Sequence, residues 1–281
     1  MDFSRAFSQG FGLARDLTLS RAYFSYYALF LLLAIAPVAF APPVMLKTVS
    51  AAQGLDALSL FFSELGMLVQ YYLILSLAFV AGGLLVKAWA ATHAKMSFAG
   101  KKCGHEKCLK PALDALPHLA LISLAVFLLA NTARLALGMG TLVPGIGIFF
   151  SIIQPAAAFL AALAFFFADY AVVLGNKNAF AALDESIAIF EKRPLQTLGA
   201  LGLSAIMSIV VIILGAIPLG VALFLSLATV LFSQTGIVFF LCFALFGIAG
   251  AILMLAISFS QVLATGISAS AYLQLAEEIG K

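Results

Sequence analysis

Six long apolar stretches constrain the fold of this chain more than any other feature. Each one has the roughly 20 residues that an α-helix needs to cross the ~30 Å hydrocarbon core of a bilayer. Because 64% of the 281 residues are apolar and only 10% are charged, the sequence predicts an all-α integral membrane protein with about six transmembrane or partly penetrating helices. The stretches cover residues 22–41, 66–90, 117–138, 147–174, 197–217 and 236–260.

Two segments that contain Pro and Gly interrupt the apolar sequence. Val143–Gly147 lies in an uncharged run between Arg134 and Asp169, and Ala216–Gly220 leads into a shorter apolar stretch that ends at Phe232. Proline forces the backbone out of the α-helix, and lipid tolerates this only where protein or water satisfies the freed polar groups. Each segment is therefore predicted to be a turn between spans or the end of a substrate-facing half-helix. The stretch after the second break is predicted to be a re-entrant or interfacial helix.

The basic residues predict the orientation of the chain. Thirteen of the fifteen Lys and Arg residues precede the first apolar stretch, lie in residues 87–110 or 177–193, or end the chain, while Lys47 and Arg134 fall toward the other side. Loops rich in Lys and Arg stay in the cytoplasm. We therefore expect a multi-pass protein of the cytoplasmic (inner) membrane with N and C termini cytoplasmic. The net charge of +3 then faces anionic lipid head groups and does not indicate nucleic-acid binding.

Amphipathic segments precede two of the predicted spans. Residues 178–193 begin with a potential N-cap, Asn178, and place Phe180, Leu183, Ile187 and Phe190 on one face before Pro194. Near the start of the chain, Phe3, Phe7 and Phe11 form a similar stripe. These segments are predicted to be interfacial helices on the cytoplasmic side, each leading into a span. No hydrophilic stretch is long enough for a separate soluble domain, so we predict a single polytopic domain, 1–281. A short repeat before three of the helices, at Leu13–Asp16, Pro111–Asp114 and Ala181–Asp184, indicates the hairpin units 1–90, 107–174 and 178–260.

Ionisable residues within apolar sequence are costly and are candidate functional residues by default. Arg134 lies about 25 Å from the inner end of the third predicted helix, so it is expected to snorkel to the outer interface or to pair with Glu64. Asp169 lies near the inner end of the fourth helix. Gln154 either lines a polar pathway or bonds a neighbouring helix.

A short cysteine- and histidine-containing segment is the candidate metal site. Cys103, His105 and Cys108 offer soft ligands that zinc accepts, but their spacing matches no common zinc pattern. The alternative is a solvated, Lys-rich loop with reduced thiols, as expected in the cytoplasm. We predict no metal and no other cofactor.

Three separated groups of residues resemble the sulfate permeases of the CysZ kind. They are Phe7-Ser8-Gln9-Gly10-Phe11-Gly12-Leu13 with Arg21, then Pro144-Gly145-Ile146-Gly147, and then Asp169-Tyr170. The resemblance implies carriage of sulfate across the inner membrane, assembly as an oligomer, and hairpins that penetrate the bilayer only partway. Residues 117–174 would then be such a hairpin. A related, uncharacterised group of six-helix membrane proteins has the same repeated pattern.

A membrane transport protein or channel for a small anion is the predicted function. Side chains offer few positive charges within the helices, so Arg21 is expected to attract the anion and backbone N–H groups at helix starts to bind it. The alternative is a non-catalytic scaffold or lipid-interacting protein, and the scattered acidic residues argue against an enzyme. Membrane lipids, a small anion and a homo-oligomer are the expected partners, without nucleic acid. The predicted binding or pathway residues are Arg21, Arg134, Pro144, Gly145, Gly147, Gln154 and Asp169.

Overall fold

The computed structural model describes most of the chain. It gives the backbone of residues 1–51, 55–101, 103, 105–140, 147–232 and 236–279. The side chains of these residues are described except at 36–51, 55–61, 64, 105–106, 227–232, 236–240 and 243. Within these ranges all the regular secondary structure is α-helical, which confirms the predicted fold class.

Nine helices follow one another in the described ranges. They are α1 (Phe3–Ala14), α2 (Leu17–Ala51), α3 (Leu55–Phe98), α4 (His105–Gly140), α5 (Gly147–Ala164), α6 (Ala168–Val173), α7 (Ala179–Lys192), α8 (Pro194–Phe232) and α9 (Gly236–Ile279). Six helical segments are long and apolar enough to cross a membrane, which confirms the predicted number and indicates a multi-pass membrane protein. These segments are Leu17–Ile35, Leu65–Phe98, Lys107–Gly140, Gly147–Val173, Pro194–Ser226 and Ala244–Ile279.

The buried side chains are concentrated at one end of the helices. Consecutive helices pack as the pairs α2–α3, α4–α5 and α8–α9, and α9 also contacts α1, α2 and α3. We call the end at which they meet the base, and its buried cluster the base core, which includes Leu19, Tyr23, Ala91, Cys108, Phe167, Ile189, Ile267 and Leu275. Toward the opposite, distal ends, large apolar side chains such as Leu73, Leu128 and Phe224 are exposed. Lipid can cover such side chains at little cost.

Two glycines bring α1 into close contact with α9. A Cβ atom built on Gly10 would lie 2.6 Å from Ile267 Cγ1 and 2.9 Å from the Ile267 backbone nitrogen. A Cβ atom on Gly266 would lie 2.7 Å from Gly10 Cα. All three distances are shorter than a van der Waals contact, so only glycine allows the two backbones to pack this closely.

The predicted amphipathic helix before the fifth span is confirmed as α7. Its N-cap is Asn178, whose side chain accepts a hydrogen bond of 2.9 Å from the Ala181 N–H, and α8 begins at Pro194. The buried face differs from the aromatic stripe, because Ala182, Ser186 and Ile189 are buried. Phe180 is instead 72% exposed. Small residues permit close packing on the base core, and the Phe180 side chain faces away from it.

In α1, as in α7, the buried face differs from the predicted aromatic stripe. In α1 the buried residues are Ala6, Gly10, Leu13 and Ala14. Phe3 is exposed, and the other two phenylalanines of the stripe are only partly buried. In both interfacial helices, therefore, the small residues pack inward and the phenylalanines lie at the edge of the contact.

The two predicted breaks have different outcomes. Residues 141–146 lie outside the described part of the chain, and α5 begins directly after them at Gly147. The break at Ala216–Gly220 is wrong, because α8 continues through Pro218 to Phe232, and residues 219–232 form no separate helix. Proline costs a helix one hydrogen bond, but apolar surroundings offer the backbone no better partner than the helix. Other prolines, Pro111, Pro117 and Pro155, also lie within helices.

Candidate functional site

A polar cavity lies beside the base core, where α2, α3, α6, α8 and α9 converge. Its volume is about 260 Å³, enough for a small ion and several water molecules. Among the lining residues that the structure describes, Lys87 is the only charged one, and we call this space the Lys87 cavity. The lining residues are Tyr23, Tyr26, Tyr27, Gly83, Lys87, Phe166, Tyr170, Ser204, Gln261, Ala264, Thr265 and Ser268.

Lys87 forms an ion pair with Asp169. The lysine lies eleven residues before the end of α3 at Phe98, about 16 Å along the helix axis, and its ammonium group donates a hydrogen bond to Asp169 Oδ2. The two side chains are 37% and 22% exposed, respectively. Asp169 is not among the lining residues. The ion pair with Asp169 occupies one of the three donors of the ammonium group, so two donors can serve a group bound in the cavity.

Buried hydroxyl groups surround the rest of the cavity. Tyr23 and Tyr170 are almost fully buried, as are Thr265 and Ser268 of α9. The Thr265 side chain interacts with both tyrosine hydroxyls, and Lys87 Nζ lies 5.5 Å from the centroid of the Tyr170 ring. Hydroxyl groups donate as well as accept hydrogen bonds. The lining therefore combines one cation with donors that can rotate toward a bound group.

A break in the fourth span positions Asp169 and Tyr170. α5 ends at Ala164 and α6 begins at Ala168. Ser186 of α7 satisfies backbone groups on both sides of this break, since its hydroxyl accepts a 3.1 Å hydrogen bond from the Phe167 N–H and donates one of 2.7 Å to the Ala164 carbonyl. Discontinuous helices of this kind commonly carry the binding sites of transporters.

Helix α3 contacts α6 at both of its ends. Lys87 pairs with Asp169 near the start of α6, and Lys95, two turns further along α3, donates a hydrogen bond to the carbonyl of Leu174 at the end of α6. A lysine at a helix C-terminus satisfies a carbonyl that has no partner within the helix. The two lysines therefore fix the position of α6 and of the residues that it contributes to the cavity.

Arg134 and Gln154 line a second cavity, within the α4–α5 pair. This cavity has a volume of about 450 Å³, and Asn131 also lines it. Gly147 lies two turns before Gln154, at the first position of α5. Two of the predicted pathway residues, Arg134 and Gln154, therefore line the same cavity. Asp169 does not line this cavity and pairs with Lys87 instead. The alternative pairing of Arg134 with Glu64 involves a side chain outside the described set.

The other predicted site residues lie apart from the Lys87 cavity. Arg21 is exposed on α2 and does not line the cavity. Pro144 and Gly145 fall outside the described residues. Helix α5 supplies no residue to the cavity lining, although Phe166 of the break after it does.

The metal-site candidates include two neighbouring cysteines. Cys103 and Cys108 lie next to each other, with their Cα atoms 6.1 Å apart, a separation that a disulfide can bridge; the prediction of reduced thiols stays a prediction, and a bonded pair would not bind zinc as thiolates. The side chain of His105 is not described. Among the side chains that are described, no group of three or more His, Cys, Asp or Glu residues could hold a metal ion.

Sequence reasoning missed Lys87, although the sequence carried a signal for it. Lys87 falls within the predicted stretch 66–90 but is counted with the basic residues 87–110 and is not singled out, although the apolar residues Trp89, Ala91 and Ala94 follow it and are buried in the base core. A basic residue followed by two more turns of apolar helix lies within a span rather than in a loop. By contrast, nothing in Phe165-Phe166-Phe167 indicates a helix break, because the hydrogen bonds that stabilise it come from a distant serine.

Comparison with models of known protein families, with curated protein sequences and with solved structures finds no match to this chain.

Proposed function

We propose that this protein transports or conducts a small anion across the membrane and that the Lys87 cavity is the anion-binding site. The observation that carries the proposal is the placement of charge at the cavity. Lys87 is among the residues that line it, whereas its ion-pair partner Asp169 is not. A cavity with one cation and several hydroxyl donors favours an anion over a cation or a neutral solute.

The chemistry of the lining suits a small oxyanion such as sulfate. Lysine binds oxyanions as a point charge, and hydroxyl donors add hydrogen bonds to the remaining oxygen atoms. The ion pair with Asp169 keeps the charge of Lys87 compensated when no anion is bound, which limits the cost of a lysine within a span. An entering anion would then compete with Asp169 for the ammonium group.

The broken fourth span supports transport over a purely structural role. Irregular backbone within a span is tolerated where it is buried in protein or lines a cavity, and the Phe165–Phe167 break is next to the Lys87 cavity. The cavity within the α4–α5 pair, with Arg134, is a second candidate position along the pathway. We further place the base on the cytoplasmic side of the inner membrane, because most Lys and Arg residues belong to elements that meet there.

Uptake of radiolabelled sulfate into vesicles containing the purified protein tests this proposal. We expect uptake well above that of protein-free vesicles. The double variant Lys87→Met/Asp169→Asn removes the cation without leaving an unpaired carboxylate. We expect it to lower the initial rate about tenfold or more, the change that ~1.4 kcal/mol of lost anion stabilisation produces.

Lys110→Met is the matched control, because Lys110 is an exposed lysine of α4 that does not line the Lys87 cavity. It should retain the rate of the unmodified protein. Equal uptake with and without protein would contradict sulfate transport and favour the scaffold alternative. Equal rates for the double variant and the unmodified protein would instead place the anion site elsewhere, with Arg134→Ala as the next variant to measure.

A further inference from the structure

An apolar groove extends the Lys87 cavity toward the distal ends of the helices. It lies between the α2–α3 pair and α9, has a volume of about 530 Å³, and is lined mainly by aromatic and aliphatic side chains. Tyr27 lines both the groove and the Lys87 cavity. The two spaces are therefore neighbours along one side of α2.

The three helices that form the groove also contribute to the Lys87 cavity. On α3 the lining residues run from Lys87 through Gly83 to Tyr72, and on α9 they run from Ser268 to Met254. On α9 the polar residues are nearest the base and the apolar residues are further along. On α3 the charged residue is nearest the base, and the hydroxyl groups further along, of Ser76 and Tyr72, donate to backbone carbonyls. From Lys87 to Tyr72 the cleft extends about 22 Å along the helix axis, which exceeds the ~15 Å thickness of half a hydrocarbon core.

The groove is open on the side that faces away from the protein. Leu31, Phe79 and Val80 line it and are all exposed. Because they belong to segments that can cross a membrane, the medium at this opening would be lipid. A molecule from the bilayer could enter sideways without passing a charged surface.

Aromatic packing and one hydrogen bond hold Tyr26, which lines the cavity, against Phe79, which lines the groove. The Tyr26 ring stacks on Phe79 at a centroid distance of 5.3 Å, and the Tyr26 hydroxyl donates a hydrogen bond to the Phe79 carbonyl. Gly83, one turn further along α3, faces the same tyrosine, and a Cβ atom there would lie 3.1 Å from its hydroxyl oxygen. The transition from polar to apolar lining is thus preformed rather than created by a mobile side chain.

We propose that this cleft binds a single-chain anionic amphiphile from the bilayer, with its anionic head group at Lys87 and its acyl chain in the groove. The inference rests on the proposed function in placing an anionic group at Lys87, and it adds the acyl chain that the groove fits. A head group in the cavity meets the ammonium and hydroxyl groups, while the chain covers aromatic and aliphatic surface. A free inorganic anion would use the cavity but would leave the groove to lipid.

Binding of nitroxide-labelled stearate to the protein in neutral phosphatidylcholine vesicles tests the inference. We expect electron paramagnetic resonance to detect an immobilised fraction that unlabelled stearate displaces. Ile257→Trp should fill the groove and weaken binding about tenfold, equivalent to ~1.4 kcal/mol. Leu255→Trp on the same helix is the control, since Leu255 is exposed but does not line the groove. Ala34→Phe blocks the groove from α2 and serves if Ile257→Trp does not fold.

The charge requirement forms the second arm of the experiment. Binding of labelled stearate should weaken in the Lys87→Met/Asp169→Asn double variant, and a labelled methyl ester without charge should bind weakly to every variant. Absence of an immobilised fraction, or equal binding by the Ile257 and Leu255 variants in folded protein, would overturn the inference. So would equal binding of the acid and its ester.

Sulfate uptake by the same vesicles separates this inference from the proposed function. Sulfate flux without stearate binding would contradict the binding of an amphiphile and would support the anion pathway. The opposite result is stearate binding that depends on both Lys87 and the groove, without sulfate flux. It would support amphiphile binding and contradict the proposal of small-anion transport. Flux that persists in Ile257→Trp while stearate binding is lost would show that the free ion needs only the cavity.

Discussion

Lys87 and Asp169 are matched charges in a part of the molecule where either alone would be costly. Each side chain retains some exposure, so the pair is neither fully buried nor a surface ion pair. Removing one partner leaves the other charge uncompensated, whereas removing both replaces the pair with neutral groups of similar size. The pair is therefore expected to show strong non-additivity when its members are changed.

We predict that Asp169→Asn lowers the free energy of unfolding by up to about 3 kcal/mol and that adding Lys87→Met recovers part of this loss. Trp89 is the single tryptophan of the sequence and is only 9% exposed in the base core, so its fluorescence during unfolding in detergent measures the effect. A double-mutant cycle gives the coupling energy. Additive effects of the two substitutions would contradict the ion pair.

Ser186 is a second residue whose contribution can be measured separately. We predict that Ser186→Ala destabilises the protein by about 1–3 kcal/mol, because it leaves buried backbone groups of Phe167 and Ala164 without their partner. Ser151→Ala is the control, since the exposed Ser151 hydroxyl bonds only to carbonyls of its own helix, at 2.8 Å and 3.1 Å. Equal unfolding midpoints for the two alanine variants would contradict the role given to Ser186.

At the scale of helices, the α1–α9 contact depends on the absence of side chains at two positions. We predict that Gly266→Ala costs about 1–3 kcal/mol through overpacking and makes α1 accessible to protease. Gly12→Ala in α1 is the control, because a Cβ atom at Gly12 would meet nothing within 4 Å. Unchanged protection of α1 in the Gly266 variant would contradict the close packing of these helices.

Helices were predictable from the sequence wherever local signals decide the structure. Asn178 and Pro194 marked the ends of α7, and the apolar stretches gave the number of membrane-spanning segments. The errors occurred where distant contacts decide. The hydrogen bonds of Ser186 permit a break after α5, although the sequence there contains no glycine or proline. Helix α8 continues through Pro218, although proline usually ends a helix. The rotation of the Phe180 stripe likewise follows from packing on the base core.

The candidate site was less predictable than the helices, for a related reason. Asp169 was identified because an acid near the end of an apolar stretch stands out, whereas its partner was hidden among the lysines of a supposed loop. Tyr23 and Thr265 are more than 200 residues apart, and no local pattern connects two hydroxyl-bearing residues on separate spans. Such a cavity is visible only when the helices are assembled.

At the scale of the whole molecule, charge and burial lie at the same end. We predict that a C-terminal tag following α9 is protected from external protease in intact cells and is cleaved after permeabilisation, because the basic elements of the base should remain on the cytoplasmic side. A reporter inserted directly after Gly140, the last residue of α4, should behave in the reverse way. Cleavage of the C-terminal tag in intact cells would contradict this orientation.

The close contact between α1 and α9 has a consequence for synthesis. Gln9 of α1 accepts a hydrogen bond from Ser270, 261 residues later, and Gly10 packs against Gly266. At about 5–20 residues per second, the ribosome needs roughly 13 to 50 s to synthesise the chain from Gln9 to Ser270. During that interval all the intervening spans are synthesised, and the small-residue face of α1 does not yet have α9 to pack against. Helix α1 therefore meets its main packing partner only after the intervening spans are made, when α9 leaves the ribosome.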